Sequence, residues 1–151
     1  LDQSLGGKPL PLRNRQFVFN HTSEDHTTYK SLRRAIYLPV IRNNLYPLFE
    51  QFNFPDPTMP TGTRNETVIA PQALVLMNDP LVLDSAEVLA KEVSTEKNRK
   101  DGIRKTWRAC FHREPRSAEM QSSLAFLDRN DNAWALLCQT LLVSNEFFYV
   151  K

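Results

Sequence analysis

Apolar residues recur at intervals of three and four over the second half of the chain, and the first half lacks that regularity. Val82, Ala86, Leu89 and Val93 form such a row, which lays one apolar stripe along a helix. Asp79-Pro80 precedes it as an N-cap followed by a proline at the first helical position. A shorter helix opens at Pro71 and runs to about Asn78. After the first long stripe, Thr95 is the expected cap for a helix carrying Ile103, Trp107, Cys110 and Phe111 inward, closed by Pro115. Ser117 is the expected cap of the next. There Glu119 complements the N-terminal dipole, and Met120, Leu124 and Leu127 face the core. Asp128 to Asn132 reads as a turn, with Asp131 as cap. The last helix carries Trp134, Leu137, Cys138, Leu141 and Leu142 and ends near Asn145, with Phe147, Phe148 and Tyr149 folding back.

The first half is punctuated instead of periodic. Gly6, Gly7, Pro9 and Pro11 forbid an early helix. Phe17-Val18-Phe19 is a short β-prone island, and Asn20 to Thr28 is polar loop. Ile36, Tyr37, Val40 and Ile41 favour a strand over 34–41, which Pro39 confines to a sheet edge or a bulge. The two islands are candidates for a small antiparallel β-ribbon. Leu45, Leu48, Phe49 and Phe52 lie on one face of a short helix, and a Pro-rich loop follows from Pro55 to Arg64.

These elements predict a mainly α fold: a compact bundle of about five short helices over 66–151, with an irregular, Pro-rich segment over 1–65 wrapping it. We take residues 1–151 as a single domain. Helices this short are marginal alone in water. Stability must therefore come from burying both tryptophans and most of the nine phenylalanines against the aliphatic stripes.

Composition narrows the class. With 41% hydrophobic and 24% charged residues among 151, the chain fits a globular domain. Its purest apolar run, Ala133 to Cys138, is far below the roughly 20 residues of a membrane span. Net charge is +3 over residues 1–50, −4 over 51–98 and +3 over 99–151, totalling +2. Cys110 and Cys138 belong to no C-x-x-C pair. Two readings stand for them: buried thiols acting as small hydrophobes, or a mutual disulfide, which implies an oxidising compartment.

Candidate chemistry is sparse. His21, Glu24, Asp25 and His26 cluster in six residues, but zinc needs ligands converging on a rigid frame and this stretch reads as loop. Asp128, Asn130 and Asn132 open like a calcium loop, yet Ala133 and Gln139 stand where that loop needs Gly and Glu. Nucleophile elbows and phosphate or dinucleotide fingerprints are absent, so no catalytic, cofactor-binding or metal residues are assigned. Asn20-His-Thr22 and Asn65-Glu-Thr67 fit the glycosylation acceptor pattern. The densest charge runs from Lys97 to Arg116. Within it Lys100, Arg104, Lys105 and Arg108 are the candidate binding surface for an anion or an acidic partner.

Several segments carry a resemblance. They are Leu1-Asp-Gln-Ser-Leu-Gly-Gly7, Arg33-Arg-Ala-Ile-Tyr-Leu-Pro-Val-Ile-Arg42 and Phe52-Asn-Phe-Pro-Asp-Pro57. Further along come Arg64-Asn-Glu-Thr67 with Pro71-Gln-Ala-Leu74, Arg113-Glu-Pro115 with Glu119, and Trp134-Ala-Leu-Leu-Cys-Gln139 with Ser144-Asn-Glu-Phe147. In order along the chain, these resemble the planctomycete PSD-one family, the domain of unknown function 1553. The chain departs from the family's pattern at Ala35, where Ser is usual, and at Phe111-His112, where Leu-Gly is usual.

The resemblance implies the C-terminal part of a larger exported, multidomain protein, periplasmic or extracellular. In such proteins an uncharacterised domain lies upstream, often after a c-type cytochrome domain. It carries over no catalytic residues. No C-x-x-C-H is present, so any c-type haem lies in another domain of the parent, and this chain holds no cofactor. The chain starts at Leu1 and is expected to be a piece of that parent.

On these grounds the expected function is a non-catalytic helical interaction domain, docking on its own upstream domain or on another surface protein. The alternative is part of an enzyme or binding site for acidic or sulfated glycans, read by the basic helix. A nucleic-acid-binding module is the third reading, disfavoured by the mild pI near 8.6.

Overall fold

A computed structural model describes residues 2, 4–9, 31–40, 45–63, 70–129 and 132–149. The chain divides into two compact units, Leu1–Ile69 and Ala70–Lys151.

The second unit is a helical bundle, as the periodicity predicts. It comprises α2 (Ala70–Asn78), α3 (Pro80–Ser94), α4 (Arg99–Phe111), α5 (Ser117–Leu127), α6 (Ala133–Leu142) and the single turn α7 (Asn145–Phe148), after α1 (Pro47–Gln51) in the first unit. The side chain of Asp79 accepts the Leu81 N–H with Pro80 at the first helical position, so α3 begins where its sequence places it.

Three other starts move. Thr95 closes α3, and Asn98 caps α4 by accepting the Asp101 N–H at 2.9 Å. Asn is among the strongest N-cap residues and the later position wins. Arg116, not Ser117, is the N-cap of α5. There the work is done by Glu119, whose carboxylate accepts the Arg116 N–H at 2.6 Å. Asn132 stands at the N-cap of α6, and Asp131 lies outside the described residues. At the other end of α4, His112 takes a left-handed conformation (φ 55°), and its N–H returns to the Arg108 carbonyl. It thus supplies the left-handed residue that glycine more often supplies after a helix.

α6 is the central element. Its sequence, Ala-Trp-Ala-Leu-Leu-Cys-Gln-Thr-Leu-Leu, is apolar nearly all round, as a helix packed on several sides must be. One side places Ala133, Leu137 and Leu141 in a cluster with Ile103, Trp107, Cys110 and Leu127 from α4 and α5. Another side places Cys138 with Ala86, Ala90 and Val93 of α3. Leu89, Trp134 and Leu142 pack against both clusters. Small residues at Ala86 and Ala90 let α3 come close to α6, its most extensive neighbour.

The core differs from the expected one in its aromatics. Trp107 is buried at 5% exposure, but no described phenylalanine is, and Trp134 is half-buried. Short helices meet at distances that Ala, Val, Leu and Cys fill. The phenylalanines close the margins, as Phe111 does edge-on to Trp107 at 6.1 Å.

No strand occurs among the described residues, which corrects the expected strand over 34–41. Ala35–Tyr37 is instead one turn of 3-10 helix, closed by the Leu38 N–H on the Ala35 carbonyl. Pro39 offers no N–H to a ladder. The other half of the ribbon, Phe17 to Phe19, lies outside the described residues. α1 ends in a Schellman turn: Asn53 is left-handed (φ 55°), the Phe54 N–H reaches the Phe49 carbonyl at 2.9 Å, and the two rings stack at 5.1 Å. The Phe-Asn-Phe segment therefore has a local structural reason.

Candidate functional site

The basic face of α4 carries its own counter-charges. Arg104 pairs with Asp101 at 2.8 Å, Lys105 with Glu96 at 2.9 Å and Glu92 at 3.2 Å, and Arg108 with Glu114. The hydrogen bond it donates to Glu96, then that to Glu92, holds the Lys105 ammonium above its ordinary pKa. These three cations do line one open depression, but Glu96, Asp101 and Glu114 line it with them. A polyanion approaching there meets alternating sign. Lys100 is exposed and has no acidic partner among the described residues. Asp101 lies on α4 itself, and the sequence conceals the rest of this balance, because Glu92 and Glu96 come from the end of α3 and the turn after it and Glu114 from the turn beyond His112.

A tighter cluster lies where α4, α5 and α7 meet. The Arg113 guanidinium donates two hydrogen bonds to Glu119, each 2.8 Å, and two to Glu146, at 2.6 and 2.9 Å. Fork-to-carboxylate pairing on both sides fixes three chain segments with one side chain. Arg113 is held above its ordinary pKa by these bonds, Glu119 first. Its hydrogen bond in turn pulls Glu119 down to about 2. The fifth Arg113 N–H goes to the Glu114 carbonyl at 3.0 Å, so no donor is left for a ligand and the cluster is a clamp.

The clamp makes acid stability predictable. A carboxyl whose folded pKa lies below its unfolded value stabilises fully above the unfolded value of about 4.5 and loses that stabilisation as pH falls toward 2. Arg113→Met is expected to cost about 1–2 kcal/mol at pH 7, a figure reduced for partial solvation. It should also flatten the pH dependence between 4.5 and 2 that urea unfolding is expected to show for the native chain. An unchanged acid limb in Arg113→Met would show that Glu119 owes its acidity to something else.

The two thiols are free and buried. Burial raises Cys110 to about 11 and Cys138 to about 12, so neither is a thiolate at neutral pH. They belong to the two separate buried clusters. No metal-holding group of His, Cys, Asp and Glu occurs among the described residues. The histidine cluster at 21–26, Asn20 and Asn65 lie outside them. Among the described residues no helix is long and apolar enough to cross a membrane.

Two further features were not legible as sites. α2 buries Gln72 at 3% exposure beside Leu76 and exposes Leu74 at 60% and Met77 at 50%. Gln72 is held by the Tyr149 hydroxyl at 3.1 Å. Gln139 of α6 donates to the Met77 carbonyl at 2.8 Å, tying down the end of the helix. Ala70, Pro71 and Ala73 are exposed with Leu74 and Met77, so the outward surface of α2 is apolar and uncharged. The second feature is an open pocket of about 550 Å³ whose lining includes Lys91 and Ser94 of α3, Arg99 of α4 and Trp134 of α6.

In the first unit, two of the resembling segments meet. Arg33 donates to the carbonyls of Gly6 at 2.7 Å and Lys8 at 3.3 Å and lies over the Tyr37 ring at 3.8 Å. The Tyr37 hydroxyl accepts the Gly6 N–H at 2.5 Å. Gly6 and Gly7 both have φ near +80° (77° and 88°), which other residues rarely adopt. The Leu-Gly-Gly and Arg-Arg-Ala-Ile-Tyr segments thus form one clasp.

A family model, PSD1, Protein of unknown function (DUF1553), matches residues 1–127. No curated protein and no solved structure matches the chain.

Proposed function

We propose, from the premise that this chain belongs to the PSD1 family (DUF1553), that it is a non-catalytic helical interaction domain of a larger exported protein. In this reading it docks through α2 on a domain that precedes it in the parent chain. The observation that carries the reading is the exposed apolar side of α2. A surface helix normally hides its apolar side. α2 buries Gln72 and Leu76 and still presents Ala70, Pro71, Ala73, Leu74 and Met77 outward. Contiguous exposed apolar surface is the mark of a protein contact. The absence of charge on α2 suits a permanent neighbour, whose interface is apolar like a core. The upstream domain and the export to periplasm or cell exterior come from the family resemblance.

The test compares amide hydrogen exchange over α2 in the full-length parent and in this chain alone. Protection should be higher in the parent. Leu74→Glu with Met77→Glu should remove the extra protection without changing the unfolding midpoint of the isolated chain, since both side chains are exposed. Equal protection in the two forms would overturn the docking. So would concentration-dependent protection in the isolated chain, which would assign the surface to self-association.

A further inference from the structure

We propose that the pocket framed by α3 and the first turn of α6 binds a small organic acid with a flat apolar face, an aromatic carboxylate. The site is separate from the outward surface of α2, and the inference does not depend on the docking reading.

The shape comes from small side chains. Ala90, Ala133 and Ala135 stand where larger residues would fill the space, and Leu127 completes an apolar lining. Ala90, Leu127 and Ala133 are buried. Trp134 lines the same space while half-buried. The far edge of its indole is lodged against Gly102. An indole fixed at one edge and wetted elsewhere offers a rigid surface for an aromatic ligand at little entropic cost. The volume, about 550 Å³, lies within the roughly 300–1,000 Å³ of small-molecule sites.

The polar groups decide the charge of the ligand. The lining carries Lys91 and Arg99 against one carboxylate, Glu87, with Ser94 and Asn132 neutral. Arg99 is engaged with Asp128, which does not line the pocket. Lys91 has no acidic partner within ion-pair distance among the described residues. Its ammonium is therefore the unspent cation beside the alanines and the Trp134 ring. A carboxylate on Lys91 with a ring over the apolar residues satisfies both requirements. A neutral aromatic satisfies only the second.

Benzoate and its uncharged counterpart benzamide are the probes, titrated into the whole chain and followed by amide and indole N–H chemical shifts. Benzoate should give saturable shifts at the Trp134 indole and at residues 132–135. Benzamide should bind about tenfold more weakly, the worth of one hydrogen bond to a charged group. Lys91→Gln should lower benzoate affinity by a similar factor of about ten. The exposed Lys97→Gln, outside the pocket lining, should leave it unchanged. Three results would each overturn the proposal: no saturable benzoate shift, equal affinity for the amide, or an unaltered affinity in Lys91→Gln while its spectrum shows the native fold.

Discussion

Trp107→Ala should be the most damaging single truncation in the helical unit, costing about 3–5 kcal/mol in urea unfolding. The ring is 5% exposed and shares its cluster with Ile103, Cys110, Leu127, Leu137 and Leu141. Those residues come from α4, α5 and α6, so the cavity would open at the junction of three helices at once. A second variant separates volume from polarity. The Trp107 indole N–H is buried with no hydrogen-bond partner, and an unmet buried donor costs about 1–3 kcal/mol. Trp107→Phe removes that donor with part of the ring, so the two effects oppose. It should cost less than about 2 kcal/mol, well below alanine. If Phe proves as damaging as Ala, the indole N–H has a partner, and the packing account of this junction is wrong.

The same cluster shows which parts of the fold are legible in sequence. Ile103, Trp107 and Cys110 were readable because burial on a helix repeats every three or four residues, and all three are buried. Asp79-Pro80 was readable because capping is local chemistry. What failed was information held between segments. The partners of Lys105 lie on α3 and in the turn just after it, and that of Arg108 beyond the α4 terminus, so the row read alone is a basic surface. Arg113 looked like one more cation in that row, because Glu146 is 33 residues away. The burial of Gln72 has no local signal, because Tyr149, which holds it, is 77 residues on. The first unit gave the least. There the clasp depends on a guanidinium reaching backbone carbonyls, an interaction with no periodic signature. The candidate pocket was hidden for a related reason: it is made by what Ala90, Ala133 and Ala135 leave empty.

Gly102→Ala is the second large effect, and its sign runs against local propensity. Alanine in place of glycine within a helix should gain about 1 kcal/mol. Here Gly102 is buried in the first turn of α4. A Cβ would stand 2.6 Å from the Trp134 ring edge and 2.9 Å from the Val93 carbonyl oxygen. The ring is wedged between helices, and the carbonyl belongs to the backbone of α3, so neither yields cheaply. Overpacking of this kind costs about 1–3 kcal/mol and sometimes more. With rigid atoms on two sides we expect the upper end to prevail over the propensity gain, for a net loss of about 2 kcal/mol by urea unfolding. The change also reaches the pocket. Pushing Trp134 outward alters the wall on which an aromatic acid would lie, so Gly102→Ala should weaken benzoate binding without touching any charge. Trp134→Phe, which shortens the ring at the contact, should restore part of the stability lost in Gly102→Ala. A Gly102→Ala protein as stable as the native chain would mean that α3 and α4 are farther apart than this contact requires, and the close approach that positions Trp134 would have to be given up.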